Sequence, residues 1–181
     1  MPKLLRIFML GGAFVFCTGP VSALQQTTTL TVTANIPQSC VALTPSTATM
    51  TFPVYDSFAN KTTPDNLATP ATFTTNCTNG ASNVFFTVSG GSNCTSSPVS
   101  GARAMKSGTN FLAYQLFQDS GYTNPWAVNT TTCAGTTQLS SGSITSSTQN
   151  LSFNLYGQIP AGQNPRVASN YTDSVTVAVN F

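Results

Sequence analysis

The sequence predicts an all-β protein, an antiparallel β-sandwich of the immunoglobulin-like (Ig-like) type. Apolar and polar residues alternate in segment after segment, which is the pattern of strands that bury one face. Turn-forming pairs such as Asn79-Gly80 and Gly90-Gly91 separate these segments, and sustained helical periodicity is absent. Only 6% of the 181 residues are charged, whereas Thr, Ser and Asn are abundant, as in strands and turns.

Seven segments carry this alternation. One spans residues 111–118 and places Leu112, Tyr114 and Leu116 on the same face. The other six have inward-facing residues at the following positions: Leu30, Val32, Ala34 and Ile36; Met50, Phe52 and Val54; Phe73, Thr75 and Cys77; Val84, Phe86 and Val88; Leu151, Phe153 and Leu155; and Val175, Val177, Val179 and Phe181.

The low charge excludes several classes of function. Six Lys and Arg and four acidic residues cannot supply the basic face that a nucleic-acid binder requires. The chain has no His, which removes the usual catalytic base and the usual zinc ligand. Ser and Thr need an activating base, and only Lys61 or Lys106 is a candidate, with nothing to orient either. We therefore expect no enzymatic activity, no cofactor and no metal site.

The first residues are predicted to be a secretory signal peptide. Lys3 and Arg6 precede a short apolar run over residues 7–16, and the segment ends Val21-Ser22-Ala23, which resembles a cleavage site. We expect residues 1–23 to be removed and the product to be exported. The predicted mature chain contains no further apolar run long enough for a membrane anchor.

Four cysteines remain after the predicted cut, at Cys40, Cys77, Cys94 and Cys133. Exported proteins meet an oxidising compartment, so disulfides are expected. Four cysteines allow three pairings, and the sequence alone does not choose among them. We favour Cys40–Cys77 with Cys94–Cys133. A zinc site is the disfavoured alternative, because no two of these cysteines have close zinc-ligand spacing and no His completes a set.

Both ends of the predicted mature chain have strand-like sequences with nothing evident to cover them. Residues 28–36 alternate ahead of Cys40, and the final alternating segment runs to Phe181. In one interpretation both are edge strands of a complete sandwich. In the other, the domain lacks a strand and the N-terminal segment of one copy completes a neighbour by strand addition.

Three motifs resemble the spore coat protein U domain family, which includes subunits of archaic chaperone–usher pili of the Csu type. Residues 155–160 read LYGQIP and residues 170–181 read NYTDSVTVAVNF, similar to the family's C-terminal motifs. Residues 112–119 read LAYQLFQD, which resembles a central strand of the family. Cys40 and Cys77 match the early disulfide of the family, whereas Cys94 and Cys133 are additional.

The resemblance implies an incomplete Ig-like sandwich that is completed by a donor strand. A periplasmic chaperone would lend that strand, and an outer-membrane usher would exchange it for the N-terminal strand of an identical or related subunit. Residues 24–37 would be the donor segment and residues 38–181 the pilin domain. The residues of the donor segment that enter the neighbour would be Leu30, Val32, Ala34 and Ile36. The acceptor edge of the pilin domain would include Val175, Val177, Val179 and Phe181. The carboxylate of Phe181 would be an anchor for the chaperone.

The function implied is that of a surface pilus subunit that supports adhesion and biofilm formation. The alternative is a monomeric secreted coat or matrix protein, or an adhesive binding module. Further expectations concern five individual side chains. Trp126 is expected to pack over an end of the sandwich rather than stack on a sugar. Arg103 and Lys106 are expected in a solvated loop, and Tyr156 and Tyr171 in the core or at a corner.

The cleavage site gives the first testable prediction. N-terminal sequencing of the exported protein should begin at Leu24, because the small residue Ala23 ends the recognised segment. Ala23→Arg should block this cleavage, since signal peptidase sites require a small residue at that position. Exported protein that retains Met1 would contradict the assignment.

Overall fold

The computed structural model of the protein describes residues 25–66, 69–147 and 149–181, so the predicted signal peptide (1–23) lies outside the described residues. The chain divides into two units, Met1–Asn35 and Ile36–Phe181. In the first unit, residues 25–35 are exposed and form no helix or strand. The described residues of the second unit contain two short 3₁₀ turns, Ala59–Lys61 and Cys94–Ser96, and the following strands: β1 (Asp65–Asn66), β2 (Ala71–Thr75), β3 (Phe85–Val88), β4 (Arg103–Ser107), β5 (Asn110–Phe117), β6 (Val128–Asn129), β7 (Ala134–Gly135), β8 (Gln138–Ser140), β9 (Leu151–Ile159) and β10 (Val177–Asn180).

The strands of the second unit form two main antiparallel sheets. The larger sheet has the order β1–β9–β5–β4, and β2 also pairs with β9. The smaller sheet has the order β10–β3–β8, and β6 and β7 form a separate two-stranded ribbon. All of these strand pairs are antiparallel. The all-β antiparallel fold class predicted from the sequence is therefore confirmed.

The core lies between the two sheets and is centred on aromatic rings. Phe153 of β9 has its ring centroid 5.5 Å from that of Phe73 in β2 and 4.3 Å from that of Phe86 in β3. Trp126 packs on the same ring at 6.1 Å and is only 1% exposed. Because β3 belongs to the smaller sheet and β9 to the larger one, these contacts join the two sheets face to face.

Two disulfides, Cys40–Cys77 and Cys94–Cys133, tie loops to this sandwich, and they are the pairings that the sequence favoured. The first holds the chain entry against the end of β2, where the amide of Val41 also donates to the carbonyl of Asn76. The second joins the 3₁₀ turn at Cys94 to the segment before β7. A zinc site at these cysteines is excluded, since their sulfurs are bonded to one another.

Two predicted strands are not strands in the structure. Residues 30–36 and residues 50–54 have the expected alternation but no β-pairing. Thr44 still exchanges backbone hydrogen bonds with Thr74, whereas residues 45–55 make no backbone hydrogen bond to other described residues. An extended segment becomes a strand only when a partner accepts its backbone groups, and here that partner is lacking.

The expectation that Arg103 and Lys106 lie in a solvated loop is wrong, because both belong to β4. Arg103 is 1% exposed, and its guanidinium donates to three backbone carbonyls. Nε donates to Ser89 at 2.8 Å, and the two terminal nitrogens donate to Trp126 at 2.8 Å and to Val88 at 3.3 Å. Burial lowers the pKa of Arg103 to about 10, although the nearby Tyr114 and Asp173 favour its charged form.

Trp126 also lies deeper than expected. It belongs to the core cluster rather than covering an end of the sandwich, so its ring has no face free for a sugar. Its carbonyl accepts from Arg103 and its amide donates to Leu116 at 2.8 Å. Tyr171 is partly buried against the core, as expected, and Tyr156 is half-buried on β9.

The buried arginine leads to a test of stability. Arg103→Met keeps the length of the side chain but leaves three carbonyls without a donor, so it should lower the free energy of unfolding by about 2–4 kcal/mol. Lys106→Met in the same strand is the control, because the side chain of Lys106 is exposed, and it should change stability by less than about 0.5 kcal/mol. Urea unfolding measures both, and equal effects would contradict the structural role of Arg103.

Candidate functional site: an open groove along β10

A groove runs along the sandwich between two extended segments, residues 48–57 and residues 165–177. It has two neighbouring parts, of about 290 and 630 Å³, and both are lined by Thr49, Met50, Phe52, Met105, Tyr171 and Thr172. We call the whole feature the β10 groove. The floor of the groove is formed by buried core side chains from strands of the larger sheet. They include Phe73, Leu112, Leu116, Leu155 and Ile159.

The first wall of the β10 groove is the segment that lacks β-pairing. Met50 and Phe52 point inward and pack against the core, and the Phe52 ring lies edge-on to Tyr114 with 6.1 Å between centroids. Gly157 of β9 makes room for this ring, because a Cβ at that position would be 2.7 Å from Phe52 Cζ. The wall is therefore held by side-chain packing, while the backbone of residues 48–55 makes no backbone hydrogen bond to other described residues.

The second wall is the C-terminal extended segment. Thr172 exchanges backbone hydrogen bonds with Lys106 of β4, at 2.8 and 3.0 Å. Four residues later the carbonyl of Thr176 accepts from the Ser89 amide at 2.9 Å, and the chain then pairs with β3. The even-numbered residues thus direct their backbone groups to β4 and β3. The odd-numbered residues direct theirs to the opposite edge, which faces the groove, because successive residues of a strand alternate in this way.

The side chains of the odd-numbered residues also line the groove, at Tyr171, Asp173, Val175 and Val177. Three of them are packed against the core. The fourth, Asp173, places a carboxylate on an otherwise apolar wall. The wall therefore combines a free backbone edge, apolar side chains and one charged group.

The Asp173 carboxylate is held by three hydrogen bonds. Tyr114, on the groove floor, donates its hydroxyl to Oδ2 at 2.7 Å. The Ser92 amide and the Asn93 side chain donate to Oδ1 at 2.9 and 3.0 Å. Gly91 is required beside it, since a Cβ at that position would overlap the carboxylate and the residue has a φ of +80°.

Burial and the adjacent Asp173 carboxylate hold the pKa of Tyr114 well above its usual range. The phenol consequently remains protonated at neutral pH and continues to donate to Asp173. Because Arg103 also lies within electrostatic reach of both groups, the second wall is fixed to the sandwich by a connected polar network.

The structure brings together only part of the site predicted from the sequence. Val175 and Val177 line the β10 groove, and Val179 packs against the core in β10. Phe181 is 55% exposed and does not line the groove. The donor residues Leu30, Val32, Ala34 and Ile36 are exposed and unpaired, and their assignment stays a prediction.

Sequence reasoning missed the roles of Tyr114 and Asp173. The alternation offered one signal, because Asp173 falls in phase with Tyr171, Val175 and Val177 and should therefore face inward. The contacts that hold it come from residues about 60 and 80 positions away. No local pattern predicts such contacts.

Within 25–66, 69–147 and 149–181, no three His, Cys, Asp or Glu side chains cluster as metal ligands. No helix in the same part of the chain is long and apolar enough to cross a membrane.

A solved structure and a family model match this chain. One chain of the CsuC–CsuE chaperone–tip adhesion subunit pre-assembly complex, from archaic chaperone–usher Csu pili of Acinetobacter baumannii, is similar with 18% identity and a TM-score of 0.49. The match covers 81% of this chain but only 40% of that chain. No curated protein matches the sequence. A family model described as the Spore Coat Protein U domain matches residues 26–178, which include both walls of the groove. The chain therefore belongs to the spore coat protein U domain family.

Proposed function

We propose that the protein is a structural pilus subunit that polymerises by strand exchange. The β10 groove of one copy accepts a strand, and residues 30–36 of the next copy supply it. The observation that carries this proposal is the open groove itself, with an apolar floor, a free backbone edge and no strand between its walls in the part of the chain that the structure describes.

The proposed donor segment has the properties of a strand without a partner. Leu30 and Val32 are each 83% exposed and Ile36 is 79% exposed. Large apolar side chains repeated on one face of an extended segment are costly to leave in water and prone to association. Residues 25–40 contain no charged side chain, so burial of this segment leaves no ion without solvent.

Strand addition supplies what both partners lack. Each backbone hydrogen bond to the free edge of residues 171–179 contributes about 1 kcal/mol net. Burial of Leu30, Val32 and Ile36 contributes roughly 1.5–3 kcal/mol for each side chain. Together these contributions are sufficient for a long-lived contact even after the entropic cost of ordering the donor segment.

Such a contact joins different surfaces of two identical subunits, donor to groove. Head-to-tail contacts of this kind do not close on themselves and therefore propagate a filament. The resemblance to chaperone–usher pilus subunits supports the remaining steps of the proposal. The chain is exported to the periplasm, a chaperone fills the groove in transit, and an usher exchanges that strand for the next subunit. The assembled pilus then serves adhesion and biofilm formation at the cell surface.

The donor face provides the test. Val32→Asp with Ile36→Asp should leave export and folding intact but abolish polymers, because two carboxylates would be buried in the groove. Polymers are measured as heat-labile high-mass ladders on a denaturing gel of surface material. Thr31→Asp with Thr33→Asp is the matched control, since it adds the same charges to the opposite face of the segment and should retain the ladder.

A polymer ladder from the Val32→Asp, Ile36→Asp variant that matches the wild-type ladder would contradict the donor assignment. A wild-type chain that is exported and remains monomeric would contradict strand exchange. That result would favour a monomeric coat or matrix protein or an adhesive module.

A further inference from the structure

We propose that Asp173 determines the register of the added strand by accepting only the small residue Ala34 opposite its carboxylate. This inference rests on the proposed strand exchange and specifies how the donor is read. Three features of the structure set the register: the direction of the backbone groups along the second wall, the antiparallel character of the sheets, and the carboxylate on the groove face.

The backbone fixes which residues of the second wall meet the donor. Thr172 and Thr176 use their backbone groups on Lys106 and Ser89, on the side away from the groove. The donor must therefore pair along the odd-numbered residues, whose side chains line the groove. Residues directly opposite each other in a sheet point their side chains to the same face. The donor consequently places Leu30, Val32, Ala34 and Ile36 opposite odd-numbered residues.

The orientation follows from the sheet. Every strand pair that includes β3 or β10 is antiparallel, and antiparallel pairing is slightly more stable per residue than parallel pairing. A shift of the donor by one residue relative to the second wall would turn its apolar face outward. Only registers that differ by two residues therefore keep the even-numbered donor residues in the groove. Three registers, each two residues apart, keep all or nearly all of the four donor side chains along residues 171–179.

These three registers differ in the residue that faces Asp173, namely Val32, Ala34 or Ile36. Apolar burial hardly distinguishes them, since each buries the same alternating face. The carboxylate does distinguish them. Its two oxygens already accept from Tyr114, Ser92 and Asn93, so the polar group is held in place on the groove face. A large apolar side chain directly over this carboxylate would shield it from solvent without supplying a hydrogen bond.

Ala34 is the small member of the donor face, and a methyl group leaves space for water at the carboxylate. The preferred register is therefore the one with Ala34 opposite Asp173, which fixes the other pairs as Leu30 with Val177, Val32 with Val175, and Ile36 with Tyr171. In this register the three large donor side chains all meet apolar or aromatic neighbours.

Cysteine cross-linking between copies of the full chain tests the register. Directly opposite residues have Cβ atoms about 4.5–5.5 Å apart, near the range of a disulfide, whereas diagonal neighbours lie about 7–8 Å apart. Val32→Cys with Val175→Cys should therefore give, after mild oxidation, a ladder that resists heat and is lost on reduction. The pair Val32→Cys with Val177→Cys would cross-link only in the register in which Ile36 faces Asp173. The pair Leu30→Cys with Val175→Cys would cross-link only in the register in which Val32 faces Asp173. Both should remain heat-labile.

A heat-resistant ladder from either shifted pair, or equal ladders from all three pairs, would overturn the register while leaving strand exchange intact. If the wild-type chain forms no polymer, the proposed function fails and the register fails with it. Wild-type protein is run on the same gel as each variant, and its heat-labile ladder shows whether strand exchange itself occurs.

The role of the carboxylate is tested through donor size. Ala34→Leu should reduce the yield of polymers by at least about tenfold, because the larger side chain covers the Asp173 carboxylate. Val32→Leu adds a methylene group opposite Val175 and should reduce the yield by less than about threefold. Similar yields from these two variants would overturn the assignment of Asp173 as the residue that reads the donor.

Discussion

Unpaired backbone groups along the C-terminal segment are the constraint on which the rest of this structure depends. A strand edge presents a row of amide and carbonyl groups that water satisfies only while the edge remains exposed. Here one edge of residues 171–180 is satisfied by β4 and β3, and the other faces a groove whose far wall has no backbone partner among the described residues over residues 48–55. Both walls pack apolar side chains against the core, and both have unpaired backbone groups that could form hydrogen bonds to one more strand.

The polar network beneath the second wall explains how an open groove can keep its shape. Arg103 binds the carbonyls of Val88, Ser89 and Trp126, which lie at the end of β3 and in the core. Because Arg103 uses the carbonyl of Ser89, the Thr176 amide donates instead to the Ser89 hydroxyl at 2.8 Å. Asp173 then joins the same region through Ser92, Asn93 and Tyr114. Polar groups at the crossover between the two sheets thus help to hold the second wall in place beside the open groove.

The sequence alone predicted the parts of the fold that local alternation determines. The strands containing Phe86, Tyr114 and Phe153 were found in this way, since each buries one face of a regular strand. β4 and β8 were missed because Arg103, Lys106 and Gln138 interrupt their apolar pattern. The burial of Arg103 could not be inferred, because it depends on carbonyls 14 to 23 residues away in the chain.

The candidate site shows a similar division. Alternation identified the apolar faces of residues 30–36 and 175–179, but it contains no information about which strands find partners. Residues 50–54 have the same pattern as β5 and nevertheless form no strand. Pairing is a property of the whole assembly, and the tertiary arrangement decides it.

The scarcity of charge in this chain makes a single carboxylate decisive. With only 6% charged residues in the chain, the proposed donor segment has no charge and the groove is largely apolar, so few features distinguish one two-residue shift from another. An apolar groove alone would gain nearly equal burial in several registers, and a filament built that way would contain misaligned joints. In the proposed register, one hydrogen-bonded carboxylate on the groove face breaks this degeneracy by disfavouring the wrong neighbours, at the cost of some affinity. A polar group that weakens the contact can therefore be what makes the contact unique.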